Sequence, residues 1–389
     1  MRSMPMKPAI KSLRIQNLFS FGEMASPIAL GPLNILIGPN GSGKSNFIGV
    51  LNLLKGIPRD FADAIADAGG ISECLWKGLE TPTALLEVVA NPPHLKIPVR
   101  YQVSFARKSK KFAIVSESLK SDGERKPRPL FEYKNGESIL YRSNGETLVE
   151  DETDSQQSVL SRLQDSKNYP EITYLGRLFR AFRLYSDWEF GQTSKVRDSY
   201  QADAKTDFLE EDISNLGLML NRWLSDPEVK EDLLRDLKAF YEDAEDLRMS
   251  IVGGLVDIRL EEKKRISIPA NRLSDGTLRW LALLTILLHP APPPVVCLEE
   301  PELGLHPDAI RLLGELLIEA SKRTQLIVTT HSDSLVDQFT KIPEAVVVFE
   351  KHEGSTVLKR LNGKQLSSWL ERYSLGQLWR TGEIGGNRF

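Results

Sequence analysis

Gly38-Pro39-Asn40-Gly41-Ser42-Gly43-Lys44-Ser45 decides the reading of this 389-residue chain. The stretch has the spacing G-x-x-x-x-G-K-[ST]. It follows the short apolar run Leu33 to Ile37 (LNILI) and precedes a segment that reads as a helix from Lys44 through about Lys55. A strand, a glycine-rich turn and a helix in that order are the context in which such a stretch cradles phosphate. The glycines let backbone N–H groups point inward, and the start of the helix adds partial positive charge. Lys44 can reach the outer phosphates as a point charge, and Ser45 can offer its hydroxyl to Mg²⁺.

Three later stretches carry further chemistry. Val295-Val296-Cys297-Leu298-Glu299-Glu300-Pro301 is an apolar run ending in two carboxylates. A buried strand delivers such residues to the edge where open α/β sheets bind ligands. Successive side chains there point to opposite sides, so the two acids are expected to differ. Glu299 is expected to support Mg²⁺, and Glu300 to orient or deprotonate an attacking water. Leu273-Ser274-Asp275-Gly276-Thr277 precedes an apolar helix. Ser274 can cap that helix, or Ser274, Asp275 and Gly276 can form a second anion site for a γ-phosphate. The first loop already encloses the phosphates of its own subunit, so that second reader is most useful from across a dimer interface. Thr329-Thr330-His331-Ser332 ends the strand LIVTT. His331 there can reach a γ-phosphate or serve as a cap. His306 precedes Pro307 and suits a helix start, and Gly304 to Asp308 read as a turn able to touch a partner subunit.

Composition narrows the classes. Hydrophobic residues make up 41% and charged residues 26%, an ordinary globular mixture. A net charge of −3 excludes a grip on nucleic acid by bulk charge, so any such site must be a local patch. Two distant cysteines, Cys74 and Cys297, exclude a disulfide scaffold and a four-thiolate zinc site and fit a reducing, cytoplasmic setting. The longest apolar run, Trp280 to Leu288, falls well short of the roughly 20 residues a bilayer needs. The opening MRSMPMKPAIKS lacks the apolar stretch of a signal peptide. No membrane partner is expected.

From Thr83 to Val149 apolar residues recur with period two, and Asn135-Gly136 and Asn144-Gly145 mark hairpin turns, so an antiparallel β lobe is expected. Residues 150–170 read as a polar loop. Residues 203–246 read as helical and hold fourteen acids against five bases. A solvated face and an acidic docking surface both fit them. From Ile266 strands alternate with helices, which implies a mostly parallel sheet. Arg107, Lys108, Lys110, Lys111, Lys120, Arg125, Lys126 and Arg128 cluster in the β lobe, with Tyr101, Phe105 and Phe112 interleaved. A DNA-tracking surface and a solvated basic hairpin fit these residues equally.

The order GPNGSGKS, LSDGT, VVCLEEPELGLHP, TTHS resembles the ABC-type ATPase heads of the RecF, SMC and OLD group. It is most similar to the compact predicted-ATPase branch of AAA-like ABC ATPases, in which LSDGT and EEPE-x-GLHP recur. The opening IKSLRIQNLFSFGE and the closing GEIGGNRF also look like that branch. The resemblance implies an α/β P-loop NTPase fold, an ABC-type head with a mixed sheet, an antiparallel β lobe and an inserted helical region. Residues 1–80 would hold the first part of the core, 81–260 the insertion, and 261–389 the rest of the core. It further implies ATP and Mg²⁺ as ligands and ATP-dependent homodimerisation, each ATP held between one subunit's phosphate loop and the other's signature segment.

By position, Gly38, Pro39, Asn40, Gly41, Ser42, Gly43, Lys44 and Ser45 match Walker A. Glu299 matches the Walker B acid and Glu300 the catalytic glutamate. Ser274, Asp275 and Gly276 match the signature, His331 the switch histidine and Gly304 to Asp308 the D-loop. Gln102 is a candidate for the Q-loop. The chain departs from the family at Asp275, where glycine is usual, at Thr277, where glutamine is usual, and at Glu299, where aspartate is usual. Only 229 positions separate Ser45 from Ser274, too few for a long coiled coil, and 58 residues follow His331, too few for a fused nuclease. A separate effector protein, a nuclease or toxin, is therefore the expected output, in bacterial anti-phage defence. A RecF-like DNA-repair ATPase and a nucleotide-gated scaffold are the alternatives.

Overall fold

The computed structural model describes the chain apart from residues 1–5, 24–25, 94–96, 110, 124–125, 135, 143–144, 151–153, 198–199, 202–206, 253–254 and 387–389. The chain divides into two compact units. One comprises Met1–Phe182, Glu344–Leu366 and Leu378–Phe389, the other Arg183–Pro343 and Ser367–Gln377.

The first unit contains an eight-stranded antiparallel sheet. Its spatial order is Ile28–Ala29, Ile10–Gln16, Ala84–Ala90, Val99–Lys108, Lys111–Ser121, Pro129–Lys134, Glu137–Tyr141, Thr147–Glu150. The expected β lobe is thus present, and it is continuous with the N-terminal strand, since Leu13 faces Val88 and Ile15 faces Leu86. Alternation explains the pairing. Val99, Tyr101, Val103 and Phe105 are buried, and the residues between them are only half-buried. The hairpin residues Asn135 and Asn144 lie outside the described residues.

Tyr101, Phe105 and Phe112 are core residues, not a surface for stacking bases. Phe61 meets Phe105 and Phe112 edge-on, with ring centres 5.1 and 4.8 Å apart. The Tyr101 hydroxyl donates to Oε1 of the buried Glu117 at 2.7 Å. Glu117 also accepts from the Ser158 hydroxyl at 2.5 Å and from Val159 N at 3.0 Å. These donors oppose the burial that pushes its carboxyl up. They also anchor the short helix Val159–Arg162, so the stretch 150–170 is not simply a loop. The helix Pro170–Arg180 begins at its end.

A second sheet in this unit positions the phosphate loop. Leu33–Ile37 runs parallel to Val346–His352, which pairs antiparallel with Ser355–Arg360. All five residues of Leu33–Ile37 are buried, which accounts for its unbroken apolar run.

In the second unit Arg183–Tyr185, Val295–Glu299 and Gln325–Thr329 are parallel neighbours. The helices Asp275–Leu287, Pro307–Ala320 and Asp333–Asp337 alternate with them along the chain, as the sequence implied. The helical reading of residues 203–246 is correct for Leu216–Leu224 and Pro227–Phe240 and fails beyond. Ala244–Val252 instead pairs antiparallel with Leu255–Glu262, because Leu247 must face Leu260 to be buried. The acids of this region are partly neutralised locally, with Lys230 on Asp246 at 3.0 Å and Arg235 on Asp236 at 2.8 Å. Among the described residues no helix is long and apolar enough to cross a membrane.

Candidate nucleotide site

The phosphate loop is shaped by its backbone. Gly38, Gly41 and Gly43 have φ of 149°, 75° and 106°, conformations that side chains disfavour. A Cβ at Gly38 would lie 2.3 Å from the carbonyl oxygen of Phe349, and one at Gly43 2.2 Å from Oγ1 of Thr356. Around Gly41 there is open space. Lys44 turns back into the loop and donates to the carbonyls of Gly38 at 2.7 Å and Pro39 at 3.0 Å. Ser42 is buried with its hydroxyl unpartnered. The Thr356 hydroxyl braces the loop from outside, reaching the Ser42 carbonyl at 2.8 Å and the Ser20 hydroxyl at 2.7 Å.

The helix Lys44–Gly56 starts from Gly43 with no side-chain cap and no acid in its first turn. Lys44 is the charge at this helix start. That suits a phosphate ligand. Asn40 and Ser45 are exposed at the same end. An outward hydroxyl next to a phosphate cradle is the donor set that a phosphate-bound Mg²⁺ requires.

In the second unit Val295–Glu299 ends at the two carboxylates. Glu300 adopts a left-handed conformation, φ 43°, that a glutamate rarely takes. It is held there by its own N–H, which donates to the carbonyl of Thr329 at 3.1 Å and to its hydroxyl at 3.2 Å. The half-buried Glu300 carboxylate lies 3.5 Å from Nε2 of His331. The strand ends carrying these two residues are parallel neighbours, with Glu299 opposite Thr329.

Ser274 is the N-cap of Asp275–Leu287, its hydroxyl oxygen accepting from Thr277 N at 3.1 Å. The capping role expected of a serine is therefore real. Asp275 pairs with Arg197, whose side chain also donates to the carbonyls of Ala270 at 3.0 Å and Leu273 at 2.8 Å. A Cβ on Gly276 would lie 3.0 Å from the carbonyl of Gly304, so the Ser274 to Gly276 turn rests against the Gly304 turn. His306 is exposed and caps Pro307–Ala320 through Nδ1, which accepts from Asp308 N at 3.4 Å.

A family model described as "AAA domain, putative AbiEii toxin, Type IV TA system" matches residues 33–337. The chain belongs to this AAA family. Its fold is also similar to that of SMC heads. It resembles an SmcHead bound to the C-winged helix domain of ScpA, with a TM-score of 0.57 and 14% identity over 92% of this chain and 99% of that one. An Smc head with an extended coiled coil, bound to the C-terminal domain of ScpA derived from Pyrococcus furiosus, gives a TM-score of 0.52 and 13% identity over 94% of this chain and 99% of that one. No curated protein matches. The chain accordingly carries an AAA-family domain whose fold is that of SMC heads.

Several residues of this AAA-family site are not evident from its motifs. Glu302 is buried. Its Oε1 accepts from the Thr330 hydroxyl at 2.5 Å and from His331 N at 3.2 Å, while Oε2 has no partner. Burial pushes its carboxyl up. Arg279, also buried, places its guanidinium carbon 5.1 Å from the centre of the Trp188 ring and 5.0 Å from that of Phe190. It donates to the Glu300 carbonyl at 3.4 Å, and Trp188 donates to the Glu299 carbonyl at 2.7 Å. Burial pulls Arg279 below the ordinary arginine value, opposed first by the charge of Glu302. The segment Arg183 to Arg197 thus holds both the Ser274 to Gly276 turn and the acidic strand end. The sequence signal that could have found it is Trp188-Glu189-Phe190, two aromatics in a polar stretch.

Gln102 lies mid-strand between Glu87 and Ser118 in the antiparallel sheet, not in a loop. The basic cluster is divided. Lys120 pairs with Glu132 at 2.7 Å and Arg128 with Glu171 at 3.2 Å. Arg107, Lys108 and Lys111 are exposed around the turn that joins two strands. Lys110 and Arg125 lie outside the described residues.

Proposed function

We propose that this ATPase head binds and hydrolyses ATP in a nucleotide-dependent homodimer and thereby controls a separate effector protein, a nuclease or toxin, in bacterial anti-phage defence. The observation that carries the catalytic reading is the Glu300–His331 pair, 3.5 Å apart at neighbouring strand ends. Gly38 to Ser45 wrap the phosphates through backbone N–H groups, and Lys44 exchanges two carbonyl partners for phosphate oxygens. Ser45 and Glu299 would hold Mg²⁺, which would neutralise charge on the phosphate oxygens. Glu300 takes a proton from the attacking water, and His331 sits beside it to read the γ-phosphate. The Ser274, Asp275 and Gly276 turn reads the γ-phosphate of the partner subunit. The family description as a putative toxin of a Type IV system supports the defence role.

Glu300→Gln tests the reading. The variant should bind ATP like the wild type, lose turnover by roughly 100-fold or more, and accumulate as a dimer with ATP in light scattering after size exclusion. Wild-type hydrolysis in this variant would refute Glu300 as the base. A RecF-like reading, with DNA on the β lobe, draws on the exposed Arg107, Lys108 and Lys111. Charge reversal of these three should abolish any salt-dependent DNA binding.

A further inference from the structure

The segment Gly382 to Gly386 belongs to the same unit as the phosphate loop, and the nucleotide reading leaves it unused. It folds as two successive turns, with Gly382 N bonded to Trp379 O at 3.1 Å and Gly385 N to Gly382 O at 3.2 Å. Gly385 and Gly386 have φ of 83° and 63°. Two side chains hold Gly386. The indole N–H of the buried Trp379 donates to its carbonyl at 2.6 Å, and Oε1 of Glu350 accepts from its N–H at 2.9 Å.

This places Gly386 against the loop. A Cβ built on Gly386 would lie 2.7 Å from Cγ1 of Val348 and 3.4 Å from Cα of Gly38. Only a glycine lets the segment come so close. Gly38 is the pivot of the loop. It is crowded on one side by the Phe349 carbonyl, and its own carbonyl accepts from Lys44. A clasp on Gly386 removes the space into which Gly38 could relax. Restricting the free loop in this way lowers the ordering cost of binding phosphate.

We propose that Glu350, Trp379 and Gly386 form a clasp that positions the phosphate loop and so sets its affinity for nucleotide phosphates. The proposal rests on the reading of Gly38 to Ser45 as a nucleotide loop. Glu350 is a positioning residue: it acts on Lys44 through Gly386 and Gly38. It is also exposed, so its replacement leaves the core intact.

The test is titration of the full chain with a fluorescent, non-hydrolysable ATP analogue and Mg²⁺, alongside thermal melts. Glu350→Ala should weaken binding by roughly fivefold, the worth of one hydrogen bond, with an unchanged melting midpoint. Glu350→Gln keeps an acceptor for the Gly386 N–H and should bind like the wild type. Gly386→Ala should weaken binding further. Lys44→Ala should abolish it. If Lys44→Ala abolishes binding but Glu350→Ala does not weaken it, the clasp is refuted and the nucleotide reading stands. Equal weakening by Glu350→Ala and Glu350→Gln would assign the effect to charge and also overturn the clasp. A lowered melting midpoint with unaltered affinity would make it merely structural. If the wild type binds no analogue, or Lys44→Ala binds as well as it does, the nucleotide reading itself fails and the clasp with it.

Discussion

Around Gly38 to Ser45 the backbone makes the site, whereas around Glu300 side chains make it. The phosphate loop uses three glycines in left-handed conformations, a set of N–H groups and one lysine. The acidic strand end uses buried charges, Glu302 and Arg279, and a hydrogen bond from Trp188 to the Glu299 carbonyl. The first kind of site fails when an atom is added. The second fails when a partner is removed, because a buried polar group left unpaired costs more than its bond contributed.

The largest expected effect breaks the backbone site. Gly38→Ala puts a methyl 2.3 Å from the Phe349 carbonyl and should weaken ATP binding at least roughly 100-fold, about 3 kcal/mol. Gly41→Ala meets open space and should cost about 1 kcal/mol, from backbone strain alone. Isothermal titration measures both. Equal losses would show that crowding is not what separates the two glycines.

Next, Glu302→Ala leaves the Thr330 hydroxyl and His331 N–H without their acceptor. It should destabilise the fold by about 2 kcal/mol in urea titration and slow ATP turnover as well. Unaffected turnover would detach Glu302 from the histidine. Arg279→Lys keeps the charge but loses the planar face set against Trp188 and Phe190. A loss of about 1 kcal/mol is expected in the same assay, and a silent substitution would make the charge alone sufficient.

The smallest effect is a pH dependence. Burial holds His289 below the ordinary 6.5. Its Nε2 bonds to the Asp207 carbonyl at 2.9 Å, and Nδ1 accepts from Ala291 N at 3.1 Å, which fixes a neutral ring. Below about pH 6.5 the unfolded chain therefore holds a proton that the folded chain does not, so stability should be full above that pH and decline as the pH falls below it. His289→Gln should flatten the difference between urea midpoints at about pH 5.5 and about pH 7.5. An unchanged slope would place the titration elsewhere.

The same contrast governs what could be read from the sequence. A backbone site leaves a rigid trace, because glycines and the lysine must fall at fixed spacing, and Gly38 to Ser45 were legible for that reason. The strands Leu33–Ile37 and Val295–Glu299 were legible because burial on both faces demands continuous apolar runs. A side-chain network leaves no such trace. Arg279 reads as one polar residue in an apolar helix, and its aromatic partners lie far upstream on another element. Ala244–Val252 was hidden by its acids, where composition suggested helix and only the alternation through Leu247 pointed to a strand. Tyr101, Phe105 and Phe112 share the strands of the basic residues but face the core, a distinction that period two carries and clustering does not.

The close approach of Gly276 to the Gly304 carbonyl joins the Ser274 to Gly276 turn and the turn that follows the carboxylates into one lip. In the proposed two-fold assembly each lip would face the neighbouring subunit with both turns at once. Occupancy felt by one turn would be relayed to the other without any helix having to move. The two ATP molecules would then be counted together, and the pair of heads would report a single yes or no.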